Sequence, residues 1–228
     1  KVSLLLLSLF CFIVSSYSQL VLADRQQGQD IFPIVASASN AVVCYDKSDA
    51  EVVKKSAKLF VEDVERVTGK RLKAKEKISS DRNIVLVGTI GKNRYIDQLV
   101  ARNKLDISQI KHGWEQYVIT IVNNPFAGVE KALVIAGCDR RGTSYGLFSI
   151  SETIGVSPWY WWADAPVIKK KNLCLQVSPI VSKAPSIKYR GIFINDEDWG
   201  LKPWASKTFE PETGDIGPKT YAKICELL

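Results

Sequence analysis

The sequence predicts an α/β fold, a mixed-sheet domain over residues 24–185 followed by the first strand-loop-helix unit of a second domain over residues 186–228. Three observations predict it. Two short apolar runs, an amphipathic helical stretch, the continuous apolar run Ile84-Val85-Leu86-Val87 and a second amphipathic stretch follow in order, which is a β-α-β rhythm. The segment Glu115–Val122 alternates apolar and polar residues and turns back through Asn123-Asn124-Pro125 into Ala132–Ala136, so the sheet is mixed. Finally, the segment from Ser178 to Pro185 contains two prolines, which cannot continue a strand ladder, and separates this pattern from the residues after Pro185.

The first element is a leader. Lys1 precedes an apolar run from Val2 to Val14, too short to span a bilayer comfortably, and small and polar residues come before Val21-Leu22-Ala23. This order reads as a signal peptide over residues 1–23, with cleavage after Ser18 as the alternative, and implies a secreted or periplasmic protein free of the membrane once cut. The competing reading is a single membrane anchor. The missing initiator methionine suggests that the leader lacks its first residue.

The runs Ile31–Val35 and Ala41–Tyr45 read as two short strands. A helix comes next, with Ser48 and Glu51 at capping-box spacing, Val53, Ala57, Phe60, Val64 and Val67 recurring every three or four residues, and Gly69 as the stop. After the strand centred on Ile84–Val87, Ile96, Leu99 and Val100 mark a second helix. Thr143–Ile154 is a third, with Leu147, Ile150 and Ile154 on one face and Gly155 at its end, and Asn172–Val177 is the last strand of the domain. Past Pro185, Tyr189–Ile194 reads as a strand and Pro218 as the first residue of a helix whose stripe is Tyr221, Ile224, Cys225 and Leu228. A stripe with nothing to cover it, on a helix without a C-terminal cap, suggests that the second domain continues beyond Leu228.

The net charge of +7, to which the leader contributes only Lys1, is spread along the chain apart from Lys169-Lys170-Lys171. That dispersal argues against a nucleic-acid groove and for a solvated basic face compatible with acidic glycans. Cys44, Cys138, Cys174 and Cys225 contain no CxxC pair and have no histidine at metal-ligand spacing, so they read as core thiols with no metal site, their disulfide status open. His112, the sole histidine, lies in a polar connection and reads as solvent-exposed, leaving no Ser-His-Asp or Cys-His set.

Three motifs bear on function. Asn195-Asp196-Glu197-Asp198 comes directly after a strand, the position at which a barrel carries its site, and carboxylates there can bind sugar hydroxyls or divide acid and base roles; a polar surface turn competes with that reading. The cluster Trp159-Tyr160-Trp161-Trp162 holds too many rings in succession for one core, so it serves interdomain packing, a sugar ligand or, least simply, the core alone. Asp139-Arg140-Arg141-Gly142-Thr143 precedes a helix and reads more simply as an N-cap with a glycine turn than as an anion site.

Taken in order, the runs Gly137–Phe148, Gly155–Asp164 and Lys188–Glu197 resemble glycoside hydrolase family 115. The resemblance implies an α-glucuronidase that removes glucuronic acid or its 4-O-methyl form, α-1,2-linked, from xylan with inversion and without metal or organic cofactor, acting on glucuronoxylan or aldouronic acid oligosaccharides. It implies a front domain like that of hexosaminidase-like glycosidases, then a (β/α)8 barrel beginning in 186–228, and a homodimer formed through later domains. The acid and base are expected beyond Leu228, so residues 1–228 alone would be inactive. Asp196 is the expected contact to the uronic acid or its water, Asn195 and Glu197 are its neighbours, and Trp162 would wall the pocket. Two alternatives remain: another glycosidase with the same front domain, or a non-catalytic exported carbohydrate-binding module.

Overall fold

The computed structural model describes residues 20–37, 39–195 and 198–227. Residues 1–19 of the predicted leader, and Asp196 and Glu197 of the predicted site, lie outside the described residues. In chain order the elements are β1 (Leu20–Leu22), β2 (Ile31–Val35), β3 (Val42–Cys44), α1 (Glu51–Thr68), β4 (Lys73–Lys75), β5 (Asn83–Thr89), α2 (Arg94–Ala101), β6 (Tyr117–Asn123), β7 (Lys131–Gly137) and α3 (Arg140–Thr153). Next come β8 (Leu173–Val177), β9 (Ile180–Val181), α4 (Leu201–Trp204), which runs on into a π-helical turn over Ala205–Phe209, and α5 (Pro218–Leu227).

The mixed sheet has the order β4-β3-β5-β7-β6-β9. β4, β3, β5 and β7 are parallel, while β6 runs antiparallel to β7 and β9 antiparallel to β6. Both faces of its centre are covered, and β5 shows why its apolar run is continuous: Val85 and Val87 enter the core shared with α1 and α3, whereas Ile84 and Leu86 enter the core under α2. The stripe Val53, Ala57, Phe60, Val64 and Val67 is fully buried, and a side chain the size of Phe60 contributes about 1.5–3 kcal/mol by leaving water. A second, three-stranded antiparallel sheet, ordered β1-β8-β2, closes the first core. The sequence pattern implies a single sheet; β8 closes the domain in this second one.

The ends of the helices obey local chemistry. At the C-terminus of α1, Gly69 takes a left-handed conformation (φ 70°) and its N–H donates to Glu65 O at 2.7 Å, as its place in the sequence suggests. The N-terminus differs from the predicted capping box: Ser48 Oγ donates to Asp46 Oδ1 (2.9 Å) and Lys92 O (3.1 Å), so its hydroxyl is engaged elsewhere and Ala50 occupies the N-cap without a side-chain bond. α3 starts three residues earlier than the periodicity suggests, because Asp139 Oδ1 accepts from the N–H groups of Arg141 (3.0 Å) and Gly142 (2.8 Å). That confirms the N-cap reading of the Asp139 motif. Gly142 and Gly146 let α3 lie close on the sheet; a Cβ at Gly142 would stand 2.3 Å from Gln116 O.

Four expectations change. The segment Ser178–Pro185 is not a free linker: Ile180 and Val181 add β9 to the sheet edge opposite Ile119 and Val118. Tyr189–Ile194 joins no ladder among the described residues, and Tyr189 and Phe193 are 84% and 91% exposed; a strand needs a neighbour for its backbone groups, and no described strand pairs with this segment. In α5 the buried residues are Thr220 and Ile224, while Tyr221 and Cys225 point to solvent, because the helix turns its Thr220 side to Glu210. Leu20–Leu22, which the sequence pattern puts in the leader, form β1 against β8.

Candidate functional site

At the carboxyl ends of the parallel strands, where open α/β sheets usually take a ligand, this domain is laced shut by its own polar groups. Asp49 Oδ2 accepts from Thr89 N at 2.7 Å, Thr89 Oγ1 and Thr143 Oγ1 share a hydrogen bond of 3.0 Å, and Asp46 accepts from Ser48 and from Arg94 N (3.2 Å). Burial pushes the Asp46 carboxyl up, but the bonds from Ser48 and Arg94 hold it below its ordinary value. The residues before Pro185 meet the tail beyond it elsewhere, around Trp161 and Glu115.

Two contacts make that junction. The first is aromatic. Gly155, in a left-handed conformation (φ 100°), ends α3 and turns the chain into Trp159–Trp162. The Trp161 ring meets Trp162 edge-on at 4.8 Å, Trp204 at 5.6 Å and Phe209 at 4.9 Å, and Trp204 stacks on Phe209 at 5.2 Å. Trp162 Nε1 donates to Lys223 O at 3.3 Å. Beside them Tyr160 donates to Glu226 Oε1 (2.8 Å), and Lys223 Nζ donates to both Tyr160 OH and Glu226 Oε2 (2.7 Å each). Burial pulls the Lys223 ammonium down, yet Glu226 and Tyr160 hold it above its ordinary range; burial raises the Tyr160 phenol. Three of the four rings therefore join the front domain to α4, the π-helical turn and α5, while Trp159 stays 53% exposed. These contacts pack the cluster against the segment that follows Pro185.

The second contact is ionic and has no signature in the sequence. Glu115, buried and in a left-handed conformation (φ 54°), receives Arg141 Nε at 3.1 Å and the guanidinium of Arg190. Its own N–H donates to Asp139 Oδ2 at 2.7 Å, so the residue that caps α3 also fixes the backbone of Glu115. Arg190 lies five residues before Asn195, and its Nη1 donates back to Ile187 O at 2.6 Å. Pattern reading treats Glu115 as the edge of a strand; its conformation and partners depend on loops that no periodicity reports.

Of the predicted site residues, Asn195 is exposed just after Tyr189–Ile194 and Trp162 is half-buried in the aromatic junction. Among the described residues, the groove of about 1100 Å³ between α1, α3 and α5, lined by Leu59, Phe148, Val156, Lys223 and Leu227, includes neither of these two. Cys44, Cys138, Cys174 and Cys225 are all free thiols, and burial pushes Cys44 up to about 12, which makes it inert. His112 is exposed, as its position suggests.

Comparison with known proteins gives the junction a context. The family model described as Glycosyl hydrolase family 115 matches residues 182–228. A solved family GH115 4-O-methyl-alpha-glucuronidase, BtGH115A, with specificity for decorated arabinogalactans, is 36% identical over 86% of this chain at a TM-score of 0.70. This chain spans 24% of that protein. CpGH84D matches at 13% identity and a TM-score of 0.42, over 70% of this chain and 22% of its own. No curated protein matches. The family model takes in the tail that carries Arg190 and Asn195, and the solved relative takes in the front domain that holds Arg190 through Glu115; on both sides of that ion pair, this chain belongs to glycoside hydrolase family 115.

Proposed function

We propose that the complete polypeptide is a secreted glycoside hydrolase that removes α-1,2-linked glucuronic acid, or its 4-O-methyl form, from glucuronoxylan or aldouronic acid oligosaccharides by inversion. Family membership carries this reading, and the solved 4-O-methyl-alpha-glucuronidase supports the uronic acid as the sugar removed. That relative's specificity for decorated arabinogalactans makes those polymers the second candidate substrate. The net charge of +7 suits an anionic sugar.

In this reading the front domain runs from β1, which the sequence pattern places in the leader, to Pro185, and is of the kind found in hexosaminidase-like glycosidases. Residues 186–228 contribute the first βα unit of a (β/α)8 barrel. The exposed apolar residues Tyr189 and Phe193 support it, since barrel strands on both sides would cover them. Asn195, Asp196 and Glu197 then stand at the carboxyl end of the first strand. The Asn195 amide can donate to the uronate carboxylate, whereas Asp196 and Glu197 accept from sugar hydroxyls or from water. Inversion needs one group to protonate the leaving oxygen and another, across the ring, to activate water. We assign those two groups to later barrel strands. Trp162 sits on the tail side of the aromatic junction, where one edge of its ring would wall the pocket from the front domain.

The experiment compares the complete polypeptide with residues 1–228 on aldouronic acids and on decorated arabinogalactan, tracking released uronic acid and its anomeric form by NMR. The complete protein should release the inverted anomer, and residues 1–228 should release none, because a barrel needs about eight βα units. Equal rates for the two, or no release by the complete protein, would overturn the reading.

A further inference from the structure

We infer that the precursor is cut after Ser18, so that the mature chain begins at Gln19 and retains β1. This rests on the reading of the protein as exported. Leu20, Val21 and Leu22 pair antiparallel with Val177, Gln176 and Leu175, and the ladder is extended by Ala23 N, which donates to Cys174 O at 2.9 Å. Leu20 packs against the main core. β8, whose Leu173, Leu175 and Val177 are buried, is thereby the central strand of its sheet, with β2 on the other side. A cut after Ala23 would remove every residue of β1 and turn a central strand into an edge, leaving backbone groups beside a buried apolar row without protein partners. A cut after Ser18 keeps the whole ladder.

The sequence around Ser18 suits processing on its own terms. Small residues stand one and three positions before the cut, at Ser18 and Ser16, and four residues separate it from Val14, where the apolar run ends. Nine residues separate Val14 from the end of Ala23, and that longer interval includes the apolar stretch Leu20-Val21-Leu22, which reads as strand. In the reaction, water adds across the Ser18–Gln19 amide under an export-linked peptidase, giving a Ser18 carboxylate on the released leader and a Gln19 amine on the mature chain.

The test is the N-terminus of the complete polypeptide exported from cells, read by terminal sequencing and intact mass. A start at Gln19, free or cyclised to pyroglutamate, is expected, and Ser18→Leu should leave most of the precursor uncut. A start at Asp24, or processing unchanged by Ser18→Leu, overturns the inference while leaving export intact. Retention of Val2–Val14 on protein that stays with the cell overturns export itself. As a second measurement, the complete polypeptide begun at Asp24 should melt about 2–4 °C below the one begun at Gln19; equal melting temperatures would also overturn it.

Discussion

Glu115, buried in the front domain, holds the guanidinium of Arg190, which belongs to the segment leading to Asn195. The same carboxylate receives Arg141 at 3.1 Å, so the start of α3 and the tail are fixed to one point. Arg190 and Arg141 are both partly exposed, which keeps the pair well short of a fully buried one. Replacing Glu115 by Gln should lower the urea midpoint, and in a double-mutant cycle with Arg190→Gln the two losses should not add. The same substitution should speed proteolysis between Ile187 and Asn195. Unchanged cleavage would show that the ion pair does not hold the segment.

The aromatic junction makes a different prediction for each of its rings. Trp161 contacts Trp162, Trp204 and Phe209, so Trp161→Ala should destabilise the chain by about 2–3 kcal/mol and loosen α4 and the turn after it. Trp159 is exposed, and Trp159→Ala should lie within about 0.5 kcal/mol of the parent. Thermal melts together with tryptophan fluorescence separate the two outcomes.

Gly142 and Gly146 set how closely α3 sits on the sheet. In an exposed helix glycine to alanine would stabilise by about 1 kcal/mol, but here the added Cβ at Gly142 would meet the backbone of Gln116, and at Gly146 it would stand 2.8 Å from Ile135 Cγ2. Backbone cannot step aside as a flexible side chain can. Gly142→Ala is therefore expected to cost about 2–3 kcal/mol net, and Gly146→Ala less, with urea midpoints as the measure.

Much of the front domain is legible in the sequence, because periodicity is a local property set by which face is buried. The run Ile84–Val87, the stripe from Val53 to Val67 and the stop at Gly69 all report that directly. The illegible features depend on partners far along the chain. Ser48 has the spacing of a capping box but bonds instead to Asp46 and Lys92, and Glu115 gains its role only when Arg190, 75 residues away, returns to it. The Trp-rich motif implies that its rings meet something besides one core; only the folded chain supplies Trp204 and Phe209 as the partners. Asn195 marks a strand end in the pattern, yet Tyr189–Ile194 carries too little of its own surroundings to form a ladder.

Acid should open the tail before it opens the sheet. Glu210 caps α5, accepting from Lys219 N (2.9 Å), Thr220 N (2.6 Å) and Thr220 Oγ1 (2.7 Å). Burial pushes this carboxyl up, but the hydrogen bonds from Thr220 and Lys219 outweigh it and hold Glu210 below its ordinary value of 4.5. A carboxylate whose folded value lies below its unfolded one adds stability that is fully present above pH 4.5 and is lost as pH falls through the folded value. Lowering the pH from 7 to below 4.5 should therefore loosen α5, seen as faster cleavage after Lys223 or as loss of the Trp162 environment, while β5 and β7 stay protected from hydrogen exchange. Glu210→Gln removes the titrating group, so the variant should be less stable at pH 7 and should lose less stability on acidification than the parent. Parallel losses in the two proteins would place the acid sensitivity elsewhere, with Asp46, also held below its ordinary value, as the next group to replace.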